Sequence, residues 1–218
     1  METPALAEAG THVMSVDEKT GIQALERIAP TKPPAPGQIE KREFEYTRHG
    51  TACLIANLDV ATGKLSSPTL GLTRTEEDFV EHIRRTVAAD PTAPWVFVLD
   101  QLNTHVSEGL VRFVASHCRI KSDLGEKGKS GVLKSMDSRR SFLSDESHRI
   151  RFVYTPKHCS WMNQIEIWFS ILSRRLLARS SFASIEELCA SIRRFVDYFN
   201  ATMAKPFRWT FTGIPLRA

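Results

Sequence analysis

The stretch WVFVL at residues 95–99 most constrains the fold, because it is apolar without interruption and runs straight into Asp100. A strand with no alternation of apolar and polar residues is apolar on both faces, and such strands lie in the middle of a sheet. The run therefore predicts an interior strand with an aspartate at its carboxyl end. That aspartate is either a turn residue or part of a metal site.

Weaker signals place the remaining strands and helices. Strands are predicted over 12–18, stopping at Asp17, over two consecutive antiparallel stretches within 42–65, and over 149–156, ended by Pro156. Helices are predicted over 75–90 with Thr75 as N-cap, over 106–117 with Ser107, along the apolar face of 165–176 with Ser160, and over 184–200 with a Ser184–Glu187 capping box. The proline-rich segment 29–38 predicts a surface loop, and the polar segment 121–148 an exposed excursion. This order of elements predicts a mixed α/β fold with helices against a sheet.

Composition restricts the class of protein. The chain has 218 residues with 42% hydrophobic and 25% charged residues, which is typical of one ordinary globular domain. Its four scattered cysteines form no C-x-x-C pair, and no apolar run is long enough to span a bilayer. We therefore expect reduced thiols, a cytoplasmic protein and no membrane partner.

The charge distribution favours a polyanionic partner. Residues 149–218 hold 11 Lys and Arg against 4 Asp and Glu, whereas residues 1–60 hold 6 against 9. Neutralisation of phosphates drives binding to nucleic acids, so a basic carboxyl-terminal third suits DNA. A solvated basic face explains the same numbers equally well.

Three acidic residues are candidates for a shared site. Asp17 and Asp100 each follow a predicted strand, and Glu166 lies in the first turns of a helix that follows another strand. If the two strands are parallel neighbours, both aspartates emerge at the edge of the sheet where α/β proteins bind ligands. Clustered carboxylates repel unless a cation neutralises them, and two divalent ions about 3.5–4 Å apart are the known arrangement for phosphoryl displacement. The sequence thus suggests a metal-dependent phosphodiester site.

Each of these residues also has a simpler interpretation. Strand-end aspartates commonly cap turns, and Glu166 favours the helix dipole in any first turn. Glu18 is expected on the opposite face of the strand from Asp17, because side chains alternate. Trp161 and Trp168 are expected in the core, although Trp161 is also suited to stacking on a base. Spacing alone leaves these alternatives open.

Five separated blocks carry a resemblance to a known family. The blocks are SVDEKTGIQALER (15–27), YTRHGT (46–51), DQLNTH (100–105), YTPKHCSWMNQIEIWFS (154–170) and NATMAKPFRWTFTG (200–213). In this order they resemble the DDE transposases, and most closely the mariner-related bacterial insertion-sequence transposases. Six residues of the fourth block fit that family's pattern: Pro156, Ser160, Asn163, Ile165, Glu166 and Phe169.

The resemblance implies an RNase-H-like fold of the retroviral-integrase type, with Asp17, Asp100 and Glu166 as catalytic residues and ligands of Mg²⁺ or Mn²⁺, in two sites. It implies DNA strand cleavage by water, strand transfer by a freed 3′-hydroxyl, and a homodimer on DNA. Asn103, His105 and Asn163 are the expected supporting residues. The candidate DNA-contacting residues are Arg48, His49, Lys157, Trp161, Arg174 and Arg175.

The chain departs from the family pattern in two places. The family carries an N-terminal helix-turn-helix region, but only 16 residues precede Asp17. We therefore expect a single catalytic domain over 1–218, either half of a split or truncated element or one whose partner polypeptide recognises the transposon ends. In addition, 66 positions separate Asp100 from Glu166, because residues 121–148 form an insert. That insert either contacts DNA or a second subunit, or is a disordered loop.

Three functions compete at this point. The first is a transposase catalytic domain that cleaves and joins DNA. The second keeps the metal centre in a ribonuclease or junction-resolving nuclease without strand transfer. The third is a catalytically silent DNA-binding remnant. Loss of cleavage on Asp100→Asn substitution, and the presence or absence of strand transfer, separate the three.

Overall fold

The core of the computed structural model, which describes residues 3–41 and 43–208, is a mixed five-stranded sheet. The strands are β1 (His12–Arg27), β2 (Tyr46–Asp59), β3 (Leu65–Gly71), β4 (Trp95–Leu99) and β5 (Ile150–Tyr154). Their order is β3-β2-β1-β4-β5; β1 pairs with β4 and β4 with β5 in parallel, and the other pairs are antiparallel. Thus β4 is an interior strand, as the sequence predicts, and it is a parallel neighbour of β1, which meets the condition for bringing the two aspartates together.

Helices cover both faces of this sheet. They are α1 (Thr3–Glu8), α2 (Glu76–Ala88), α3 (Glu108–His117), α4 (Met136–Leu143), α5 (Ile165–Leu172) and α6 (Ile185–Thr202). One buried apolar cluster joins β4 and β5 to α2 and α3, and a second joins β1 and β2 to α5 and α6. This arrangement confirms the predicted α/β class with helices flanking the sheet.

Several predicted caps are present. Thr75 and Asp78 form the capping box of α2, and Ser107 caps α3. Ser184 caps α6, but the Glu187 side chain accepts from the Ala183 N–H rather than from the cap itself. The prediction for Ser160 is wrong, because that residue lies in a separate short turn (Ser160–Met162) and α5 starts after Gln164.

The strand boundaries differ most from the prediction. β1 does not stop at Asp17 but continues for ten residues, because β2 pairs with it along that whole length. For the same reason, the two strands predicted within 42–65 are largely one strand, β2, and the next strand, β3, lies beyond them. Arg42, within that predicted stretch, lies outside the described residues, as do positions 209–213 of the last motif block.

The segment 121–148 is folded, so the alternative of a disordered loop is wrong. It contains α4, whose N-cap Ser135 forms a capping box with Ser138. Leu133 and Leu143 are fully buried in the cluster that also holds β4 and β5. Two leucines in a polar segment produce little periodicity, and the sequence pattern therefore missed this helix.

Candidate active site

The three predicted acids meet at the carboxyl edge of β4. Asp17 lies within β1, Asp100 directly follows β4, and Glu166 is in the first turn of α5. The parallel register pairs Ser15 with Val98, so two residues further on the chain reaches Asp17 and Asp100 at the same level. The charges of Asp100 and Glu166 both raise the pKa of Asp17, as expected for neighbouring carboxylates.

Asp17 is the most perturbed of the three. Burial raises the pKa of its carboxyl to about 7, the backbone N–H of Glu18 opposes this shift, and the charges of the neighbouring acids add to it. The Asp17 side chain also accepts from Asn163 Nδ2 at 3.3 Å. A buried carboxylate surrounded by like charges is destabilised unless a cation compensates it.

Asn163 fixes the helix that carries Glu166. It is fully buried, and its Nδ2 donates to the Val16 carbonyl at 2.6 Å. Its Oδ1 accepts from the Ser15 hydroxyl, whose oxygen accepts in turn from the Ile165 N–H at 2.9 Å. These bonds attach the start of α5 to β1 and set Glu166 beside Asp17.

His105 connects Asp100 to a fourth acid, Glu18. Nδ1 of His105 lies 2.9 Å from Asp100 Oδ1, and Nε2 lies 3.1 Å from Glu18 Oε1. Burial alone would lower the pKa of His105, but the bonds and charges of the two carboxylates together raise it to about 9. The bond to His105 is also the main reason that the pKa of Asp100 is lowered. Asp100 is therefore held as a carboxylate, with a second bond from the Leu102 N–H.

The donor set suits a hard divalent cation. Mg²⁺ and Mn²⁺ prefer carboxylate oxygens, and the three acids supply only such oxygens. Among the residues that the structure describes, no three His, Cys, Asp or Glu side chains form a ready-made cage. Asn163 holds Asp17 and His105 holds Asp100, whereas the Glu166 side chain is exposed and has room to move towards an ion.

The other predicted residues fall into two groups. Asn103, Lys157 and Trp161 are exposed, and the first two line a cavity beside Asp100. Trp161 is 53% exposed, so the prediction that it belongs to the core is wrong, whereas Trp168 is fully buried as expected. Arg48 and His49 lie far from the carboxylates, because eight positions of β2 separate Arg48 from the residue opposite Asp17, a span of about 25 Å.

Arg174 and Arg175 lie on a widened turn that continues α5. Ser173–Leu177 is a π-turn, closed by a bond from the Ala178 N–H to the Ser173 carbonyl, and such turns are frequent at functional sites. Both arginines are exposed, and with Arg179 they line a cavity of about 720 Å³. They are about 12 Å along the helix from Glu166.

Sequence reasoning missed two residues of the site. Glu18 does point to the opposite face from Asp17, as expected, but it is buried and bonded to His105. A charged residue within a central strand requires a partner, and that requirement was the available signal. Ser15 gave no signal, because its role depends on a contact with Asn163, 148 positions away.

The mixed sheet with flanking helices is an RNase-H-like α/β fold, and it carries a cluster of acids at one sheet edge. The family model of the DDE superfamily endonuclease matches residues 12–189, so the chain belongs to that family. Among curated proteins, none matches significantly.

Two solved structures show the same fold at low sequence identity. A crystal structure of the Mos1 mariner paired-end complex with Mn superposes with a TM-score of 0.54 at 13% identity, covering 91% of this chain and 50% of that one. The Mos1 transposase paired-end complex with the left transposon end gives 0.52 at 13% identity, covering 95% and 53%. The chain thus spans about half the length of the solved proteins that it matches.

Proposed function

We propose that this chain is a transposase catalytic domain that cleaves and joins DNA strands with divalent metal ions. The observation that carries the proposal is the meeting of Asp17, Asp100 and Glu166 at one sheet edge, each on a different element. Membership of the DDE superfamily endonucleases supports it. The Mn of the Mos1 complex supports the choice of metal.

Each residue has a distinct task in this proposal. Asp17, Asp100 and Glu166 would hold two Mg²⁺ or Mn²⁺ ions, which would supply an activated nucleophile and charge neutralisation when bound. His105 fixes the orientation of the Asp100 carboxylate, and Asn163 fixes that of Asp17 while anchoring the helix of Glu166. Asn103, exposed beside Asp100, is placed to contact the substrate.

The chemistry consists of two displacements at phosphorus. In cleavage, a water oxygen loses a proton and bonds to phosphorus, the P–O3′ bond breaks, and the departing 3′-oxygen takes up a proton, leaving a 5′-phosphate and a 3′-hydroxyl. In strand transfer, the oxygen of that 3′-hydroxyl bonds to a target phosphorus, and the target's own P–O3′ bond breaks. The number of phosphodiester bonds is unchanged in the second step, so no external energy source is needed.

The DNA path runs from the carboxylates along α5. Lys157 lines the cavity beside Asp100, Trp161 is exposed in the turn before α5, and Arg174 and Arg175 continue the path beyond Glu166. The described residues show no ion pair for either arginine, so both remain available to phosphates. Arg48 and His49, at the far end of the β1–β2 hairpin, are assigned to more distant DNA.

Assembly follows from the same assignment. The chain acts as a catalytic domain on transposon ends and target DNA in the cytoplasm, as a homodimer. Among the described residues, no helix has the length and apolar character that crossing a membrane requires.

The decisive experiment is nicking of supercoiled plasmid by the purified chain with Mg²⁺ or Mn²⁺. Asp100→Asn should reduce nicking about 100-fold or more, because it removes a metal ligand and weakens the bond to His105. Asp197→Asn is the matched control, since Asp197 is an exposed acid of α6. Equal nicking by wild type and Asp100→Asn would contradict the assignment.

A second assay distinguishes the type of enzyme. A labelled oligonucleotide with a free 3′-hydroxyl should become joined to plasmid in a metal-dependent reaction. Cleavage of RNA–DNA hybrids or DNA junctions without joining would instead indicate a nuclease or resolvase. DNA binding without any turnover would indicate a silent remnant.

A further inference from the structure

A cavity of about 600 Å³ opens beside Asp100, on the side of β4 away from Asp17. Its wall includes Asp100, Asn103, Met136, Arg140, Lys157 and His158. Ligands of α/β sheets bind outside the carboxyl ends of the strands, and this cavity lies there beyond β4 and β5. It therefore extends the active site in the direction opposite to Arg174 and Arg175.

The segment 121–148 supplies one wall of this cavity. Met136 and Arg140 are one turn apart on α4, so both side chains face the same way. Burial of Leu133 and Leu143 in the core fixes the helix in that orientation. The insert is thus a rigid part of the site.

Arg140 has capacity for a ligand. Its guanidinium lies 5.5 Å from the centre of the Tyr154 ring, a cation–π distance that fixes its position. Its only ion-pair partner among the described residues is Asp137, at 3.1 Å, and that side chain is 94% exposed. The Nε of Arg140 is buried and has no hydrogen-bond partner among the described residues. Because Asp137 is almost fully in solvent, the pair contributes little, so an anion in the cavity readily competes with Asp137.

Lys157 faces the same cavity, and the described residues show no ion pair for it. Two cationic side chains, Arg140 and Lys157, therefore line the cavity together with two acids, Asp137 and the Asp100 that we assign to metal binding. Apolar walls from Met136 and Pro156 complete the cavity. Cations next to apolar surface suit a nucleotide unit, whose phosphate is anionic and whose base and sugar are not.

The geometry points to Arg140 as a phosphate-binding residue for the DNA strand that enters the active site, with the cavity holding the nucleotide next to the cleaved bond. This assignment rests on the proposed function and gives the insert a role in it. The planar guanidinium suits bidentate contact with a phosphate.

The test measures binding of a fluorescein-labelled DNA duplex with a single-stranded end by anisotropy, with Ca²⁺ in place of Mg²⁺. Arg140→Ala should weaken binding about tenfold and reduce the slope of log affinity against log salt by about 1. Arg140→Lys should restore the slope but only part of the affinity. Arg112→Ala is the matched control, because it removes an arginine with a comparable surface pair, to Glu108 on α3.

Asp137→Asn provides a test of opposite sign. If Arg140 binds phosphate, removal of its competitor should strengthen binding about two- to threefold. If Arg140 serves only the fold, both Arg140→Ala and Asp137→Asn should lower the melting temperature alike and leave DNA affinity unchanged, which would overturn the proposal. Failure of the wild type to bind this DNA would also overturn it.

The outcome is separable from that of the proposed function. Metal-dependent nicking lost in Asp100→Asn, together with normal DNA binding by Arg140→Ala, would leave the function standing and remove this site. Weaker DNA binding by Arg140→Ala, together with equal nicking by wild type and Asp100→Asn, would support the Arg140 site and contradict the proposed catalytic function.

Discussion

Two buried histidines, His82 and His105, differ in charge at neutral pH because their surroundings differ. Burial lowers the pKa of His82 to about 3, with a further decrease from the charge of Arg85, and its Nδ1 lies 2.8 Å from the Thr69 hydroxyl oxygen. His105 is equally buried but lies between two carboxylates, which raise its pKa to about 9. At neutral pH His82 is an uncharged core residue, whereas His105 is a cation that holds Asp100.

This difference predicts how Glu18→Gln changes stability with pH. The pKa of His105 is about 9 in the folded chain and about 6.5 when unfolded, so the charged imidazole stabilises the fold fully below about 6.5, and this stabilisation is lost as the pH rises through 9. Glu18→Gln removes one of the two supporting charges. We expect it to cost about 1–3 kcal/mol near pH 6, and less as the pH rises towards 9.

Urea unfolding at a series of pH values measures this cost. Glu26→Gln is the matched control, because Glu26 forms the same kind of pair with His49, at 2.7 Å, but at the surface. That control should change stability by less than about 1 kcal/mol. A cost of Glu18→Gln that is independent of pH would mean that His105 is not charged in the folded chain.

At this scale, the sequence identifies acids that end strands but not the residues that orient them. Asp100 was predictable because it directly follows an uninterrupted apolar run. Asn163 and His105 entered only through the family resemblance, and Ser15 entered through neither route. Their roles depend on contacts between distant segments, such as the 87 positions that separate Glu18 from His105.

Among the elements, the length of β1 was the least predictable feature. Its local pattern loses apolar character after Asp17, yet β2 continues the pairing to Arg27. Gly21, with φ of +64°, lies where the register shifts between Lys19 and Ile22. A bulge at a glycine allows the strand to twist without losing its partner. Partner strands override local propensity here.

Two glycines with similar backbone angles provide a test of how turns and bulges are held. Gly63, in the turn between β2 and β3, has φ of +71°, and a Cβ placed there would lie 2.0 Å from the Lys205 carbonyl oxygen. A Cβ at Gly21 would meet no atom within 4 Å. Gly21→Ala should therefore cost only backbone strain, about 1–2 kcal/mol. Gly63→Ala should cost at least about 2 kcal/mol more, because backbone must move.

Chemical unfolding of the two variants measures the difference directly. The two costs should differ because Gly63 packs the β2–β3 turn against the backbone that follows α6, whereas Gly21 has no such neighbour. Similar costs for both substitutions would show that the turn and that segment do not pack together in solution.

In the molecule as a whole, the sheet separates two cores, and the site lies where elements from both meet. Ser15 and Asp17 face the side of α5, whereas Glu18 faces the side of His105. The fold class and the interior position of β4 were predictable from apolar patterning, because that pattern reflects burial. The convergence of the three acids could be predicted only on the assumption that their strands are neighbours. Local sequence does not encode the order of strands in a sheet.

This convergence is expected to reduce the stability of the metal-free protein. Asp17 is buried beside Asp100 and Glu166, and the three like charges repel when no cation is bound. Above about pH 7, where the Asp17 carboxyl is ionised, Asp17→Asn should therefore raise the free energy of unfolding by about 1–3 kcal/mol in the presence of a chelator. Asp197→Asn, an exposed acid of α6, should leave it unchanged.

Bound metal should make wild type more stable than Asp17→Asn. An ion that binds only the folded chain stabilises it by about 2.7 kcal/mol at roughly 100 times its Kd, which corresponds to about 5–10 °C in melting temperature for a chain of this size. Thermal unfolding with increasing Mn²⁺ should therefore show a rise for wild type and little for Asp17→Asn, so that the two curves cross. Parallel rises in both would place the metal away from Asp17, and a metal-free Asp17→Asn less stable than wild type would show that the carboxylate is already compensated. A crossing would mean that the sheet edge is built for an ion, and that the fold tolerates the repulsion of its acids in order to bind one.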